Sequence, residues 1–169
     1  VYILLHWTPH TSYNFHNTKI TQDKTMTDAI TFATPYDDSN IFAKILRGEI
    51  PSISVFENDD CLAFMDIMPQ REGHTLVIPK RPAVTFLDIE PDSLANLIKH
   101  TQIVARAVQK AMNADGFSIV QLNGSKGGQT VPHIHFHILP GSILNAGAHG
   151  AIPSDPEHLA KVAEKIRNA

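Results

Sequence analysis

From residue 40 onward, apolar and polar positions follow patterns that predict helices and strands. The first segment has apolar residues at helical spacing, and Gly48 with Pro51 ends it. Its apolar positions are Ile41, Phe42, Ile45 and Leu46. Three strand-like runs follow, at residues 53–57, 61–66 and 74–79. The turn-forming residues 58–60 separate the first two runs and predict a hairpin.

The longest predicted helix opens at Pro91 and ends near Gly116. Its apolar positions form one stripe, made of Leu94, Leu97, Ile98, Thr101, Val104, Ala105, Val108 and Met112. Two more strands, residues 117–122 and 130–139, and a closing helix at residues 156–166 complete the pattern. Because the strands cluster with short connections, we predict an α+β fold. It would be a mostly antiparallel five-stranded sheet with the long helix packed on one face.

The chain divides into three parts. Residues 40–140 carry the periodic pattern and form the predicted domain, and residues 141–169 form a C-terminal tail with a short helix. Residues 1–39 are an N-terminal extension. We interpret Met26 as the natural start, so that the residues before it are non-native or poorly ordered. The alternative is a genuine but loosely packed arm that contacts a partner subunit.

Composition narrows the class of protein. The 169 residues are 43% hydrophobic and 18% charged, which is typical of one globular domain. A formal net charge of −3 and a pI near 6.4 argue against binding to a nucleic-acid backbone. The single Cys61 excludes an internal disulfide and a cysteine-rich zinc cluster. Residues 1–5 are too short an apolar run to span a membrane and no export signal follows, so we expect a cytoplasmic protein without membrane contact.

Histidine alternates with apolar residues near the end of the predicted domain. In a strand over residues 130–139, His133, His135 and His137 would stand on one face, about 6.6 Å apart. Three interpretations are open: a solvent-facing polar row, a metal site, or a nucleophile for phosphorus chemistry. Metal enzymes usually add carboxylate ligands, and apart from Asp115 none lies near this segment in the sequence. The nucleophile is therefore the favoured interpretation.

A glycine-rich loop, residues 123–130, leads directly into the histidines. Gly124, Gly127 and Gly128 allow the backbone to turn its N–H groups toward an anion, and Gln129 and Thr130 add side-chain donors. Alone, the loop is equally compatible with an ordinary hairpin turn, and it lacks the Gly-Lys-Ser/Thr ending of a Walker A loop. Beside a histidine nucleophile it favours phosphoryl or nucleotidyl transfer.

Several motifs together resemble the signature of the histidine triad (HIT) family, and look closest to the bacterial Hint-like nucleoside phosphoramidases. They occur in the family's order between residues 40 and 140. The motifs are Asn40-Ile41-Phe42 with Lys44-Ile45, Gly48-Glu49-Ile50-Pro51, and residues 62–67, 73–80 and 129–139. The resemblance implies a HIT-like fold, a homodimer whose sheets join, and no cofactor. It also implies hydrolysis at the α-phosphorus of nucleoside 5′-phosphoramidates or related phosphoanhydrides.

The resemblance also implies roles for particular residues. His135 would be the nucleophile that forms a nucleotidyl–histidine intermediate, which water later hydrolyses. His137 and Thr130 would contact the phosphate or the leaving group, and His133 and His74 would complete the histidine cluster. The nucleotide would be held by Asp66 at the ribose, by Phe42, Ile45, Phe64 and Ile67 at the base, and by Asn123, Gly128 and Gln129 at the phosphate. We expect a purine, because a wide apolar cleft suits the larger base.

Plainer alternatives accompany these roles. Without the resemblance, the four apolar residues of the base slot are interpreted as core. Asp66 is equally plausible as the cap of the turn before Pro69, and His74 is compatible with a structural role. His100 carries no motif and is expected on the exposed face of the long helix. Asn40 and Ala43 stand where some bacterial members carry two zinc-binding cysteines, so we expect no such zinc. The tail beyond residue 141 does not resemble the family, which leaves a catalytically weak nucleotide-binding or scaffold module as the alternative function.

Overall fold

A single antiparallel sheet organises the molecule. The computed structural model describes residues 29–145 and 154–169, so the interpretation of Met26 as the natural start lies outside the described residues. The strands are β1 (Ser54–Glu57), β2 (Cys61–Met65), β3 (Thr75–Pro79), β4 (Phe117–Gln121) and β5 (Phe136–Pro140). Their order is β1-β2-β3-β5-β4, and every neighbouring pair is antiparallel. The helices are α1 (Ile41–Leu46), α2 (Pro91–Ala111) and α3 (Pro156–Arg167). The predicted α+β fold is confirmed.

The last strand begins later than the alternating pattern predicts. It starts at Phe136, whereas the sequence predicts a strand from residue 130. Pro132 has no N–H to offer a neighbouring strand. The N–H of His133 folds back onto the carbonyl of Val131 at 2.8 Å, and the N–H of Ile134 donates to Ala83 at 2.9 Å. Residues 130–135 are therefore irregular backbone, and of the three alternating histidines only the last lies in the strand.

The two faces of the sheet are covered by different elements. One face packs against α2 and α3 and contributes Val77 and Ile138, which are fully buried, to the main core. The other face packs against α1, which Asn40 caps by accepting hydrogen bonds from the N–H groups of Phe42 and Ala43. Because side chains alternate along a strand, His137 faces the α1 side while its neighbour Ile138 enters the main core.

The long helix departs from expectation at two positions. His100 is only 8% exposed, so its predicted place on the exposed face is wrong. Its Nδ1 donates to the carbonyl of Asn96, its Nε2 accepts from Asn58, and its ring stacks on Phe56 at 5.6 Å. Asn58, in the turn between β1 and β2, thus supplies the hydrogen-bond partner that water would give to an exposed His100. Ile98, counted in the apolar stripe, is 48% exposed.

No helix within residues 29–145 and 154–169 combines the length and the apolar character needed to cross a bilayer.

Candidate functional site

A cavity opens between α1 and the face of the sheet that carries His137. The predicted site residues that line it are Phe42, Ile45, Phe64, Asp66, Ile67, Thr130, His135 and His137. The remaining predicted residues lie outside its walls: His74, His133, Asn123, Gly128 and Gln129. The fold therefore brings the proposed base slot, the ribose position and two of the three alternating histidines to one cavity.

The apolar end of the cavity is built by α1 and β2. The rings of Phe42 and Phe64 meet edge to face with centroids 5.5 Å apart, and both are buried. Both also belong to the smaller of the two apolar clusters, so these two side chains are part of the core and line the cavity at the same time. Ile67 differs, because it lines the cavity while 56% of its surface is exposed.

Two alternating histidines are linked through the backbone. Nδ1 of His135 lies 2.7 Å from the carbonyl oxygen of His133. A carbonyl only accepts, so Nδ1 of His135 carries the hydrogen, and in the neutral ring Nε2 then carries the lone pair. This ring and that of Phe42 also meet edge to face, at a centroid distance of 5.1 Å. Both the orientation and the tautomer of His135 are therefore set by its surroundings.

His133 is held from two sides and does not line the cavity. Its Nε2 lies 3.0 Å from the carbonyl of Pro79, and its Nδ1 lies 2.8 Å from the hydroxyl of Tyr36. The side chain is fully buried. Burial lowers the pKa of His133 to about 4, because the charged ring would lose its hydration. This histidine is therefore neutral at physiological pH.

A second pair of histidines meets beside Asp66. Nε2 of His74 lies 2.9 Å from Nδ1 of His137. The N–H of Gln70 donates to Nδ1 of His74 at 3.3 Å, and Oδ2 of Asp66 lies 3.4 Å from the same nitrogen. When Nδ1 of His74 accepts from Gln70, the neutral ring donates from Nε2 to Nδ1 of His137, whose own hydrogen is then on Nε2. When Nδ1 of His74 instead carries a hydrogen that faces Asp66, Nε2 of the neutral ring accepts from Nδ1 of His137.

Asp66 caps a turn and also lines the cavity. Its Oδ1 accepts from the N–H of Met68 at 2.9 Å, which caps the turn that follows β2. The residue is 6% exposed and still lines the cavity, beside Ile67. Turn capping by one oxygen therefore leaves the carboxylate positioned at the cavity wall.

A second cavity adjoins the first at the two histidines. It shares Thr130, His135 and His137 with the first, and it is also lined by Gly128. Its remaining walls are largely apolar, from Gln70, Val120, Leu122, Leu139 and Ile143. A group bound at His135 and His137 would therefore border both cavities.

The glycine-rich loop does not present the open anion cradle that its sequence suggests. The N–H groups of Gly124, Ser125 and Gly128 donate to Gln129 Oε1, Ile30 O and Ser125 O. Gln129 is 2% exposed, and its amide donates to the carbonyls of Val84 and Val131. The loop thus closes on itself as a short 3-10 turn, Ser125–Gly127, and Gln129 acts as its internal brace.

Asn123 likewise serves the scaffold. Its Oδ1 accepts from the N–H of Phe86 at 2.7 Å, and its Nδ2 donates to Gln121 at 2.6 Å. It lines neither of the two cavities beside the histidines.

Donor atoms for a metal come together where the sequence gave no sign of them. Ligand atoms of Asp66, His74 and His137 lie within 4.8 Å of one another. The carboxylate that the histidine segment lacks in sequence is thus supplied by the turn after β2. In the structure, however, His74 and His137 use facing nitrogens to hydrogen-bond each other, and a metal would have to replace that bond.

One residue of the site was missed by the sequence analysis. Tyr36 lies in a polar stretch without periodicity, and no motif marks it. Its contact with His133 spans 97 positions in the chain, so only the tertiary structure reveals it.

Comparisons with known proteins agree with this geometry. Residues 47–143 match the model of the HIT domain family. An uncharacterized HIT-like protein of Methanocaldococcus jannaschii is 45% identical over 100 residues, covering 59% of this chain and 77% of that protein. The adenosine 5′-monophosphoramidase of Schizosaccharomyces pombe is 35% identical over 131 residues, covering 76% of this chain and 96% of that enzyme. Among solved structures, a Hit-like protein from Bartonella henselae has a TM-score of 0.74 at 48% identity, covering 80% of this chain and 98% of that one.

The matched family region contains the whole sheet and all three alternating histidines. Since the family model covers more than half of the chain and the relatives align over most of their own length, this chain belongs to the histidine triad family.

Proposed function

We propose that the protein hydrolyses purine nucleoside 5′-phosphoramidates, or related phosphoanhydrides, at the α-phosphorus. His135 forms a bond from Nε2 to phosphorus, and the bond from phosphorus to the leaving nitrogen or oxygen breaks. The leaving atom takes the electron pair and a proton. Water then attacks the nucleotidyl–histidine, which releases the nucleoside monophosphate and returns His135.

The observation that carries this proposal is the hydrogen bond from Nδ1 of His135 to the carbonyl of His133. It keeps the hydrogen on Nδ1, so the neutral ring attacks from Nε2. As the bond to phosphorus forms, positive charge develops on the ring, and the carbonyl oxygen stabilises the hydrogen that remains. The buried His133 stays neutral beside it, because its pKa is lowered to about 4, and adds no repulsion.

The proton for the leaving group would come from His137. In the tautomer in which His74 donates to Nδ1 of His137, the ring hydrogen of His137 is on Nε2. The ring centroid of His137 lies 4.9 Å from that of His135. Thr130 borders both cavities beside these rings and would contribute a hydroxyl to the phosphate. The reacting phosphorus would thus lie between two histidines with different tasks.

The nucleoside would occupy the first cavity. Phe42, Phe64 and Ile67 offer an apolar slot for the base, and the Asp66 carboxylate would accept from the ribose hydroxyls. The second cavity would receive the leaving group, because it is lined by the same two histidines. The likeness to the Schizosaccharomyces pombe adenosine 5′-monophosphoramidase supports this substrate class.

The deciding experiment is release of AMP from adenosine 5′-phosphoramidate by the purified protein in EDTA. Turnover, with a protein-bound nucleotidyl adduct trapped by rapid quench and detected by mass spectrometry, is the expected result. AMP binding by calorimetry without any turnover would instead favour the nucleotide-binding module. Activity that EDTA abolishes would overturn metal-independent chemistry.

We further propose that two copies join through β4 to form a homodimer. Among the residues that the structure describes, β4 lies at the edge of the sheet, where a second β4 could pair with its outer backbone groups. Beside it lies an apolar groove lined by Ile98, Phe117 and Ile119, which are 48%, 45% and 42% exposed. Antiparallel pairing of two such strands about a two-fold axis would extend the sheet and cover this groove.

Light scattering after gel filtration tests this assembly. We expect a dimer for the wild type and a monomer for Ile119→Lys, because the charge would lie in the joined interface. Ile103→Lys is the matched control, since Ile103 is 44% exposed on α2 and does not line the groove. A wild-type monomer, or dimers of all three proteins, would contradict pairing through β4.

A further inference from the structure

The segment before α1 lies against the candidate site. We name residues 30–39 the N-terminal strap. At its start, Ile30 exchanges two hydrogen bonds with the glycine-rich loop: its N–H donates to Ser125 Oγ and its carbonyl accepts from the N–H of Ser125, both at 2.8 Å. Ile30 is 8% exposed. The strap is therefore anchored to the loop before it reaches the histidines.

The second anchor of the strap is Tyr36. Its hydroxyl lies 2.8 Å from Nδ1 of His133, and the two rings meet edge to face with centroids 5.5 Å apart. Nε2 of His133 faces the carbonyl of Pro79, which only accepts, so the single ring hydrogen of the neutral histidine is on Nε2. Nδ1 then accepts, and the Tyr36 hydroxyl is the donor. The direction of both hydrogen bonds is thus determined.

This chain of contacts continues to His135. The residue whose ring is held by Tyr36 and Pro79 is the same residue whose carbonyl accepts the Nδ1 hydrogen of His135. The backbone between them is irregular, since the N–H of His133 turns back to Val131 and does not pair within the sheet. Side-chain anchoring therefore replaces ladder hydrogen bonds at this point.

We propose that Tyr36 is a positioning residue: by holding the ring of His133, it fixes the carbonyl that keeps His135 in its attacking tautomer and orientation. The inference rests on the proposed function and deepens it. Tyr36 lines neither cavity beside the histidines, so it acts through His133 and not on the substrate.

The charged and titratable surroundings suit this role. Two titratable groups lie against the His133 ring. The Tyr36 hydroxyl hydrogen-bonds to it, and the charge that His135 can carry lowers the pKa of His133 further than burial alone. Burial raises the pKa of Tyr36 above its ordinary value, although a side-chain hydrogen bond with Asn40 and the charge of Arg47 lower it. The charges of Asp38 and Asp37 raise it further. At neutral pH the phenol is therefore a protonated donor and the imidazole a neutral acceptor.

Tyr36→Phe is the direct test, because it removes only the hydroxyl and retains the ring contact. Thr34→Val is the matched control, since it removes a hydroxyl that accepts from Thr31 within the same strap. For Tyr36→Phe we expect kcat to fall about fivefold while KM stays within about twofold, the effect of loosening one hydrogen bond outside the binding surface. The control should keep wild-type values of both constants.

Nitrogen-15 spectra of the histidine rings provide the readout that a merely structural role would not change. In Tyr36→Phe, the Nδ1 signal of His133 should move toward that of a ring nitrogen without a donor. The Nδ1–H signal of His135 should weaken through faster exchange with water. Unchanged His135 signals together with an unchanged kcat would overturn the proposal.

The wild-type spectrum alone gives an independent check. It should show the Nε2–H tautomer for His133 and the Nδ1–H tautomer for His135, and the opposite tautomer at either ring would overturn the positioning role. Failure of the proposed function is distinguishable, because it would appear as absent AMP release by the wild type while the tautomers stay as expected. Wild-type turnover that Tyr36→Phe leaves intact would contradict only the role of Tyr36.

Discussion

His135 donates its Nδ1 hydrogen to the backbone carbonyl of His133 at a distance of 2.7 Å. The position of the His133 backbone therefore sets the tautomer of the histidine two residues further along the chain. The bond forms because the strand has not yet begun at these residues, and the backbone carbonyl is not committed to a neighbouring strand. An uninterrupted strand over residues 130–139 would have used such carbonyls in the sheet. The irregular backbone is thus what allows a histidine to be oriented by its own chain.

Removal of the nucleophile gives the largest expected effect. His135→Ala should lower kcat by more than about 10⁴-fold, because general acid–base help alone is typically worth about 10²–10⁴-fold. Rapid-quench mass spectrometry should then detect no nucleotidyl adduct. His137→Ala is the comparison and should lose about 10²–10⁴-fold while an adduct still forms. Substantial activity in a folded His135→Ala protein would refute covalent catalysis at this residue.

Asp66 is expected to determine ribose binding. Asp66→Asn retains an oxygen that can accept from Met68 N–H and removes the charge, so KM should rise about tenfold with little change in thermal stability. A 2′,3′-dideoxy substrate should raise KM similarly for the wild type and add nothing further for the variant. Additive losses in this comparison would show that the carboxylate and the hydroxyls do not meet.

Substitution of Ile67 should affect substrate binding without affecting the stability of the fold. Because 56% of this side chain is exposed and it lines the cavity, Ile67→Ala should raise KM about fivefold by losing apolar contact with the base. The melting temperature should stay close to the wild-type value. Leu97→Ala, at a position that is 1% exposed on α2, should do the reverse, lowering the free energy of unfolding by about 3 kcal/mol with KM unchanged. Steady-state kinetics and thermal unfolding of the two variants check the contrast.

Low pH should lower the free energy of unfolding, because His133 is buried in its neutral form. The pKa of His133 is about 4 in the folded protein against an ordinary value of 6.5. Between these two pH values the unfolded chain therefore binds a proton that the folded protein does not. The free energy of unfolding should therefore fall as the pH drops from 6.5 to 4, by up to about 3 kcal/mol from this residue, with no contribution above pH 7. Urea unfolding at several pH values measures the slope, and His133→Asn should flatten it. A His133 ring that titrates near pH 6.5 in the folded protein would contradict this prediction.

Gly73, in the turn before β3, lies against the side chain of Met112 and leaves no room for a Cβ atom. Its φ is +81°, and a Cβ there would lie 2.7 Å from Cγ of Met112, so Gly73→Ala should cost about 2 kcal/mol of stability. Gly48 has a similar φ of +73° with nothing within 4 Å of its Cβ position, so Gly48→Ala should cost only about 1 kcal/mol. Equal losses on chemical denaturation would mean that the contact with Met112 relaxes without penalty.

Much of the fold follows from local pattern. Helical spacing predicted α1 and α2, and the runs at residues 53–57 and 61–66 match the β1–β2 hairpin closely, because one buried face imposes a period of 2 on strands and 3.6 on helices. The exception was β5, where Pro132 and the backward turn at His133 interrupt a pattern that still alternates in sequence.

The sequence by itself determined the family of this protein, since three histidines alternating with apolar residues are recognisable without coordinates. The tertiary structure alone decided which partners each side chain meets. It buried His100 against Asn58, used the glycine-loop N–H groups internally, brought Asp66 to His74 and His137, and set Tyr36 on His133. Hydrogen bonds between residues tens of positions apart leave no periodic trace in a chain, because they depend on how packed elements meet and not on the spacing within any one of them.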